Sequence, residues 1–354
     1  MKLEDIGYLR YTEKVPDHQH NDDFEAGRII AEHKERYLIA TENGELEAEI
    51  TGNMRFAAKS REDFPAVGDW VNYISYDKDF AIINKILPRY SLIRRQSVGT
   101  YGEVQIIGTN IDYAFIMQSV NRDFNINRLE RYLTICYAEK IKPIIVLTKT
   151  DLIDKQQLQL ITDKIEARIQ NIQVLAISNE TKSGFEELTN NLKIGLTYCM
   201  LGSSGVGKST LLNNLLEEKV MKTDNISLST NKGKHVSTHR ELKVLKDGGI
   251  LIDNTGMREV GIVDDTGGLE DTFDKIMELS KSCRFSDCRH INETGCAVIE
   301  AIENGDLEEN YYKNYLKLEK EKSHFEATVQ DKRKKDKDFG KMLKNYKKDR
   351  KINY

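Results

Sequence analysis

The chain has 354 residues, a net charge of −4 and 39% hydrophobic residues, a length that divides into two or three domains. It has no N-terminal apolar stretch of signal-peptide type, and no run approaches the roughly eighteen apolar residues of a membrane-spanning helix. That argues against a secreted or membrane-embedded protein, and a cytoplasmic one is expected.

Taken in chain order, short β-patterned runs come first, at residues 26–31, 36–40, 46–51, 67–75 and 80–87, separated by turns. About five such strands predict a small barrel, with an OB-fold the obvious candidate. OB barrels bind nucleic acid on one face; the pattern alone fits a barrel without an RNA role equally well. Residues 94–108 read as a polar, glycine-containing linker. A strand within 110–119 and a helix near 128–140 follow. Residues 143–147 (PIIVL) read as a buried strand that carries Thr148-Lys149-Thr150-Asp151 at its carboxyl end, the edge where parallel sheets bind ligands. An aspartate there accepts both N1–H and the exocyclic N–H of guanine, and adenine offers no such donor pair. Lys149 is expected over the base. A second strand, 174–177, delivers Ser178 and Asn179 to support the base from the other side.

Gly202-Ser203-Ser204-Gly205-Val206-Gly207-Lys208-Ser209 then sits between an apolar run, Thr197–Leu201, and a helical pattern beginning at Thr210. Strand, glycine-rich loop and helix are the context a phosphate-binding loop requires. Its glycines let backbone N–H groups converge on phosphates at a helix N-terminus. Lys208 is expected to reach the β- and γ-phosphates and Ser209 to bind Mg2+. Further on, the apolar strand 250–252 ends in Asp253-Asn254-Thr255-Gly256. Asp253 is expected to hold Mg2+ through water, and the Gly256 N–H to reach the γ-phosphate. Met257 stands where a water-orienting Gln is common. In the polar segment 231–240, Thr238 or Ser237 is expected to complete the Mg2+ shell, and His235 is the candidate for positioning water. A partner contact is the equal alternative for His235.

Three of the five cysteines cluster in Cys283-x4-Cys288-x-His290-x5-Cys296. Three thiolates and an imidazole are a ligand set of structural zinc, against the alternative of reduced core thiols; the short loops favour the metal. Cys136 and Cys199 lie in apolar runs and read as buried thiols. Residues 331–350 carry ten Lys/Arg against four Asp. Such a tail binds a phosphate backbone or is simply solvated.

In an ordinary small GTPase the phosphate loop precedes the guanine-reading motif. Here it follows it, which is the mark of a circularly permuted GTPase. This order resembles the RsgA (YjeQ) family of ribosome-associated, permuted GTPases. So do Gly233-x-His235 followed by hydroxyl residues, Asp253-x-x-Gly256-Met257-Arg258-Glu259, and the stretch from Cys283 to His290. The likeness runs from about Gly27 to the tail. Thr148 stands where Asn is common, Asn254-Thr255 replaces Thr-Pro, Val236 replaces a Thr and Thr294 replaces a Pro.

The resemblance implies a multidomain chain. It comprises an N-terminal OB barrel (1–100), a central α/β permuted GTPase (101–262) and a C-terminal α-helical zinc-binding domain with a basic tail (263–354). It implies GTP as substrate, Mg2+, one Zn2+ per chain, the small ribosomal subunit and its rRNA as partners, no membrane, and a monomer. The function expected is GTP hydrolysis stimulated by the small subunit during its late maturation, driving release. The alternatives are an RNA-binding module whose nucleotide is structural, or a GTPase acting on another RNA.

Overall fold

The computed structural model describes residues 2–16, 24–33, 36–96, 104–121, 124–216, 240–254, 267–324 and 334. A 3-10 turn, Leu3–Ile6, and α1 (Tyr8–Lys14) open the chain. Strands β1 (Glu25–His33), β2 (Arg36–Thr41) and β3 (Gly44–Ile50) form a meander. In β3 the glutamates 45, 47 and 49 alternate with Leu46, Ala48 and Ile50, so one face turns inward. After α2 (Gly52–Ala57), strands β4 (Trp70–Asp77) and β5 (Phe80–Ile86) pair antiparallel. β3 pairs with β5 in parallel, and β1 pairs with β4, which closes the barrel. This closed five-stranded order is that of the expected OB-fold, filled by Ile29, Ile39, Val71, Tyr73 and Ile83.

The stretch expected as a polar linker is instead an antiparallel ribbon of β6 (Leu92–Gln96) and β7 (Val104–Thr109). Ile93, Ile106 and Ile107 are buried and anchor it to the core. Three apolar residues among polar ones suffice once two short strands pair with each other.

The central sheet uses β8 (Tyr113–Ser119), β9 (Lys142–Thr148), β10 (Gln173–Ala176), β11 (Thr197–Leu201) and β13 (Ile250–Asn254), all parallel, with β12 (Arg240–Val244) antiparallel beside β13. Parallel strands covered on both sides read as continuous apolar runs, and all five residues of β11 are buried. The strand period of two sorts them. Ile116, Ile145, Leu147, Cys199 and Ile252 face α3 (Ile126–Ala138) and α4 (Lys155–Arg168), while Phe115, Val146, Tyr198, Met200 and Leu251 face α5 (Phe185–Asn190) and α6 (Lys208–Leu216). Cys136 and Cys199 are buried thiols, as their apolar surroundings predict. Among the described residues, no helix is long and apolar enough to cross a membrane.

The barrel and this sheet are continuous, because β12 pairs with β1 at Glu241 and Ala31. The junction is polar. The Arg28 guanidinium is fully buried and donates to the carbonyls of Ile6 (2.6 Å) and Gly68 (3.2 Å) and to Thr197 Oγ1 (2.9 Å). Asp112 accepts from Arg10 Nε (2.8 Å) and the Thr197 N–H (2.9 Å), and Asp69 accepts both arms of Arg89 at 2.8 and 2.7 Å.

The C-terminal segment is helical: α7 (Gly268–Thr272), α8 (Asp274–Ser280), α9 (Ala297–Glu303) and α10, residues 309–324. Gly268 lies against α3 so closely that a Cβ would stand 2.2 Å from the Thr134 carbonyl oxygen. Buried Glu130 of α3 accepts both arms of Arg168 (2.6 and 2.8 Å) and Asn314 Nδ2 of α10 (2.5 Å), while Arg131 forms a fork with Glu321.

Arg28→Met removes the donors of Ile6, Gly68 and Thr197 together. The expected cost is about 3 kcal/mol, read as a lowered urea midpoint. Arg28→Lys is expected not to restore it, because one ammonium cannot span the three acceptors that the planar fork reaches. Wild-type midpoints for both variants would show that packing alone holds the barrel to the sheet.

Candidate nucleotide and metal sites

β11 ends at Leu201 and the chain turns at once into Gly202-Ser203-Ser204-Gly205-Val206-Gly207 before α6 begins at Lys208. The turn needs its glycines. A Cβ on Gly202 would stand 2.5 Å from the Met117 carbonyl oxygen, and Gly207, at φ +102°, would bring one to 2.7 Å from Asn179 Nδ2. Val206 is buried and pins the loop to the core, whereas Ser204, Gly205 and Thr210 are exposed and Ser209 half-buried. The first amides of a helix have no intrahelical acceptor, so the loop ends at an anion site.

Lys208 folds back over this loop, its Nζ donating to the carbonyls of Gly202 (2.5 Å) and Ser203 (2.8 Å). Burial pulls its pKa down to about 8, and the nearby carboxylate of Asp253 opposes the shift. Asp253 is itself buried on β13, next to β11 in the sheet. Lys208 at the start of α6 and Asp253 on β13 therefore lie close together beside the same loop.

The base-reading motif starts where β9 ends. Thr148 is buried and its Oγ1 donates to the Val206 carbonyl at 2.7 Å, so the residue in the usual Asn position still ties the motif to the phosphate loop. Lys149 takes a left-handed conformation at φ +60°, which turns the chain into the 3-10 turn Thr150–Leu152. Ser178 Oγ donates to Asp151 Oδ1 (2.5 Å) and accepts from the N–H groups of Glu180 and Thr181. One carboxylate oxygen of the exposed Asp151 is thus fixed, and the other is open to a ligand. Asn179 Nδ2 donates to the Gly207 carbonyl (3.2 Å), and Asn214 Nδ2 of α6 donates to Asn179. Three loops far apart in sequence are stitched together by side-chain amides and hydroxyls. Asn214 escaped the sequence reading, because a lone Asn within a helix carries no signal. His235, Ser237, Thr238, Gly256 and Met257 lie outside the described residues.

Cys283, Cys288, His290 and Cys296 hold their ligand atoms within 4.8 Å of one another. The Nδ1 of His290 is 3.5 Å from Cys283 Sγ and 3.4 Å from Cys296 Sγ, and those two sulfurs are 3.9 Å apart. A tetrahedral zinc with Zn–S of ~2.3 Å and Zn–N of ~2.05 Å has S···N edges of about 3.5 Å and S···S edges of about 3.8 Å. The donor set fits the ion. Glu293 orders the ligand loop by accepting from the backbone N–H groups of Arg289 (3.0 Å), Ile291 (2.8 Å) and Asn292 (3.0 Å). Those donors, Arg289 first, hold its carboxyl down at about 2, so it is ionised wherever thiolates bind metal. The Tyr312 hydroxyl of α10 donates to the His290 carbonyl, and His290 sits at φ +61°. Glu293 and Tyr312 were not found from sequence; both act through backbone groups, which no ligand pattern reveals.

A family model described as RsgA GTPase matches residues 86–263, and one described as 50S ribosome-binding GTPase matches 197–350. A small ribosomal subunit biogenesis GTPase of Bacteroides thetaiotaomicron is 41% identical over 94% of this chain and 92% of its own length. One of Listeria innocua is 43% identical over 84% of each. Among solved structures, YjeQ from Thermotoga maritima aligns with a TM-score of 0.61 at 25% identity, covering 84% of this chain and 98% of its own. YloQ, a circularly permuted GTPase, aligns at 0.60 and 25% identity over 87% and 98%. Identity above 40% along nearly the whole chain, on a permuted GTPase sheet between a closed barrel and a Cys3His cluster, leaves one conclusion: this chain belongs to the RsgA GTPase family.

Proposed function

We propose that the protein binds the small ribosomal subunit in its GTP state, assists late maturation, hydrolyses GTP when the subunit stimulates it, and is then released. The observation that carries this is the stitching of the phosphate loop to the Thr148–Asp151 and Ser178–Asn179 loops, in a chain whose relatives are named for small-subunit biogenesis. Asp151 reads guanine and Lys149 covers its face. Lys208 neutralises the β- and γ-phosphates, assisted by the Gly256 N–H. Ser209, Asp253 and Thr238 (or Ser237) are the residues to hold Mg2+, which when bound supplies charge neutralisation between the phosphates. His235 orients the attacking water in place of the Gln that Met257 lacks. The Cys3His cluster holds one Zn2+ as a structural crosslink. The barrel and the basic tail contact rRNA, and the chain acts as a monomer in the cytoplasm, with domains divided near residues 100 and 262. A large-subunit target is the second reading, because the other matching family model is described as 50S ribosome-binding.

Purified subunits separate these readings. Small subunits are expected to raise GTP turnover and large subunits to leave it unchanged. His235→Ala is expected to keep GTP binding and lower the stimulated rate by about 10- to 10^4-fold, the range of a positioned acid–base group. No stimulation by small subunits would leave a nucleotide-stabilised RNA-binding module as the better account. Stimulation by large subunits alone would move the target.

The depressed Lys208 pKa has a sign that can be checked. Below about pH 8 the ammonium is present to meet phosphate, and above it the free amine dominates. Bound phosphate raises that pKa again, so GTP binding takes up a proton in this range. Affinity is expected to fall by up to about tenfold per pH unit above pH 8. A flat profile to pH 9.5 would place the buried amine away from the phosphates.

Metal analysis is expected to return one Zn2+ per chain. Glu293→Ala frees the loop that carries Cys288 and His290 and is expected to weaken zinc retention against a chelator about 10- to 100-fold, the usual effect of losing a residue that orients ligands. Full retention would show that the loop holds its shape without the carboxylate.

A further inference from the structure

A cavity of about 420 Å3 opens between α3 and α10, outside the three stitched loops but bordered by Ser203 of the phosphate loop. That volume is within the roughly 300–1,000 Å3 of small-ligand sites. Its lining among the described residues is wholly polar apart from one tyrosine ring, with four cations (Arg128, Arg131, Lys313 and Lys317), four asparagines and Ser203, and no carboxylate. Two of the cations are compensated nearby, Arg131 by Glu321 at 2.7 Å and Lys313 by Glu309 at 2.8 Å. Arg128 and Lys317 form no ion pair with any described residue, so among the described residues the cavity keeps two uncompensated positive charges.

The walls are rigid. Asn314 is clamped to Glu130 (2.5 Å), whose other contacts are both arms of Arg168. Arg168 in turn donates to Asn127 Oδ1 at 2.6 Å and stacks over Tyr311. Two cavity asparagines are thereby fixed by an ion pair that is buried on both sides. A preorganised concave surface with fixed amides, surplus guanidinium and ammonium groups and no acid among its described residues is the chemistry that binds phosphate oxygens.

We infer that this cleft is a second phosphate-binding site, separate from the P-loop, which takes a phosphate-bearing ligand between α3 and α10. It goes beyond the hydrolysis cycle and does not depend on it. The ligand's phosphate is either a phosphodiester of RNA or that of a free polyphosphate, and Ser203 places it beside the phosphate loop in both cases.

The test uses the full chain saturated with GDP, so that the P-loop is filled, and the variants Arg128→Gln/Lys317→Gln and Lys317→Glu. Tripolyphosphate is titrated by calorimetry, and a single-stranded RNA hexamer by anisotropy over a range of salt. Wild type is expected to bind tripolyphosphate at one site despite GDP, and both variants to lose at least tenfold while keeping GDP affinity and zinc content. If RNA is the source, the hexamer's log K against log salt slope also falls by about 1.4 in the double variant, since two phosphates are no longer neutralised, and tripolyphosphate competes with it. If a free polyphosphate is the source, the slope is unchanged and only the calorimetric site disappears. Either result supports the site. Unchanged binding of both probes in both variants would overturn it, as would loss of tripolyphosphate binding on saturation with GDP.

Discussion

The architecture depends on one buried cation. Arg28 stands on β1 where the barrel, the N-terminal turn and the GTPase sheet meet, and each of the three supplies it with an acceptor. A guanidinium taken out of water costs several kcal/mol, a deficit that packing cannot make up. Desolvation pulls its pKa down, and the field of Tyr90, Asp112 and Asp69 opposes that shift. The arrangement is stable only if all three bodies are in place together. The cation therefore acts as a geometric condition on the whole and contributes less as a source of stability. Trp70 lies beneath it, 5.6 Å from the guanidinium carbon, and the same ring packs on Tyr8 and Tyr11.

The second junction repeats the principle with a carboxylate at its centre. Glu130 of α3 is fully buried, and burial pushes its pKa up while Arg168 and Asn314 oppose that shift. Helices α3, α4 and α10 each supply one of these three groups, so the helical segment carrying the Cys3His cluster is registered against the GTPase core. Apolar contacts such as Phe273 on Tyr311 supply area but tolerate sliding; a forked ion pair does not.

How much of this was legible follows from what each signal encodes. Residue types at fixed spacing were legible one by one, and the structure brings them together: the Gly202–Ser209 loop, Asp151, Ser178 with Asn179, and the cluster of Cys283, Cys288, His290 and Cys296. The barrel strands were legible through alternation, within a few residues at their ends. The β6–β7 ribbon was not, because its strands stabilise each other across a gap and neither shows a clean period alone. Arg28, Glu130 and Asn214 were invisible for a related reason. A polar residue in an apolar run looks like a surface residue until its partners, up to 184 positions away, are known. Thr148 replaces the usual Asn, yet its hydroxyl makes the loop-to-loop bond, since a short side chain suffices where the strand end lies against the Val206 carbonyl.

Permutation acquires a physical meaning from where the chain re-enters the described structure. The segment after α6 returns as β12, which is bonded on one side to β13 and on the other to β1 of the barrel. Arg240 at its start donates to the Ile106 carbonyl at 2.7 Å and lies 3.8 Å from Glu32 of the barrel. The segment after β13 returns at Gly267 and enters α7, whose Gly268 is wedged against α3. Both chain segments are thus fastened where they return to a different neighbour, one to the barrel and one to the helices that carry the Cys3His cluster. In an unpermuted chain order β13, which carries Asp253, would lead on to β8 of the same sheet. Here that connection is replaced by an exit to α7, while β8 is entered from the barrel through the β6–β7 ribbon. The chain on either side of β12 and β13 is therefore joined covalently to two different neighbours, the barrel and the C-terminal helices.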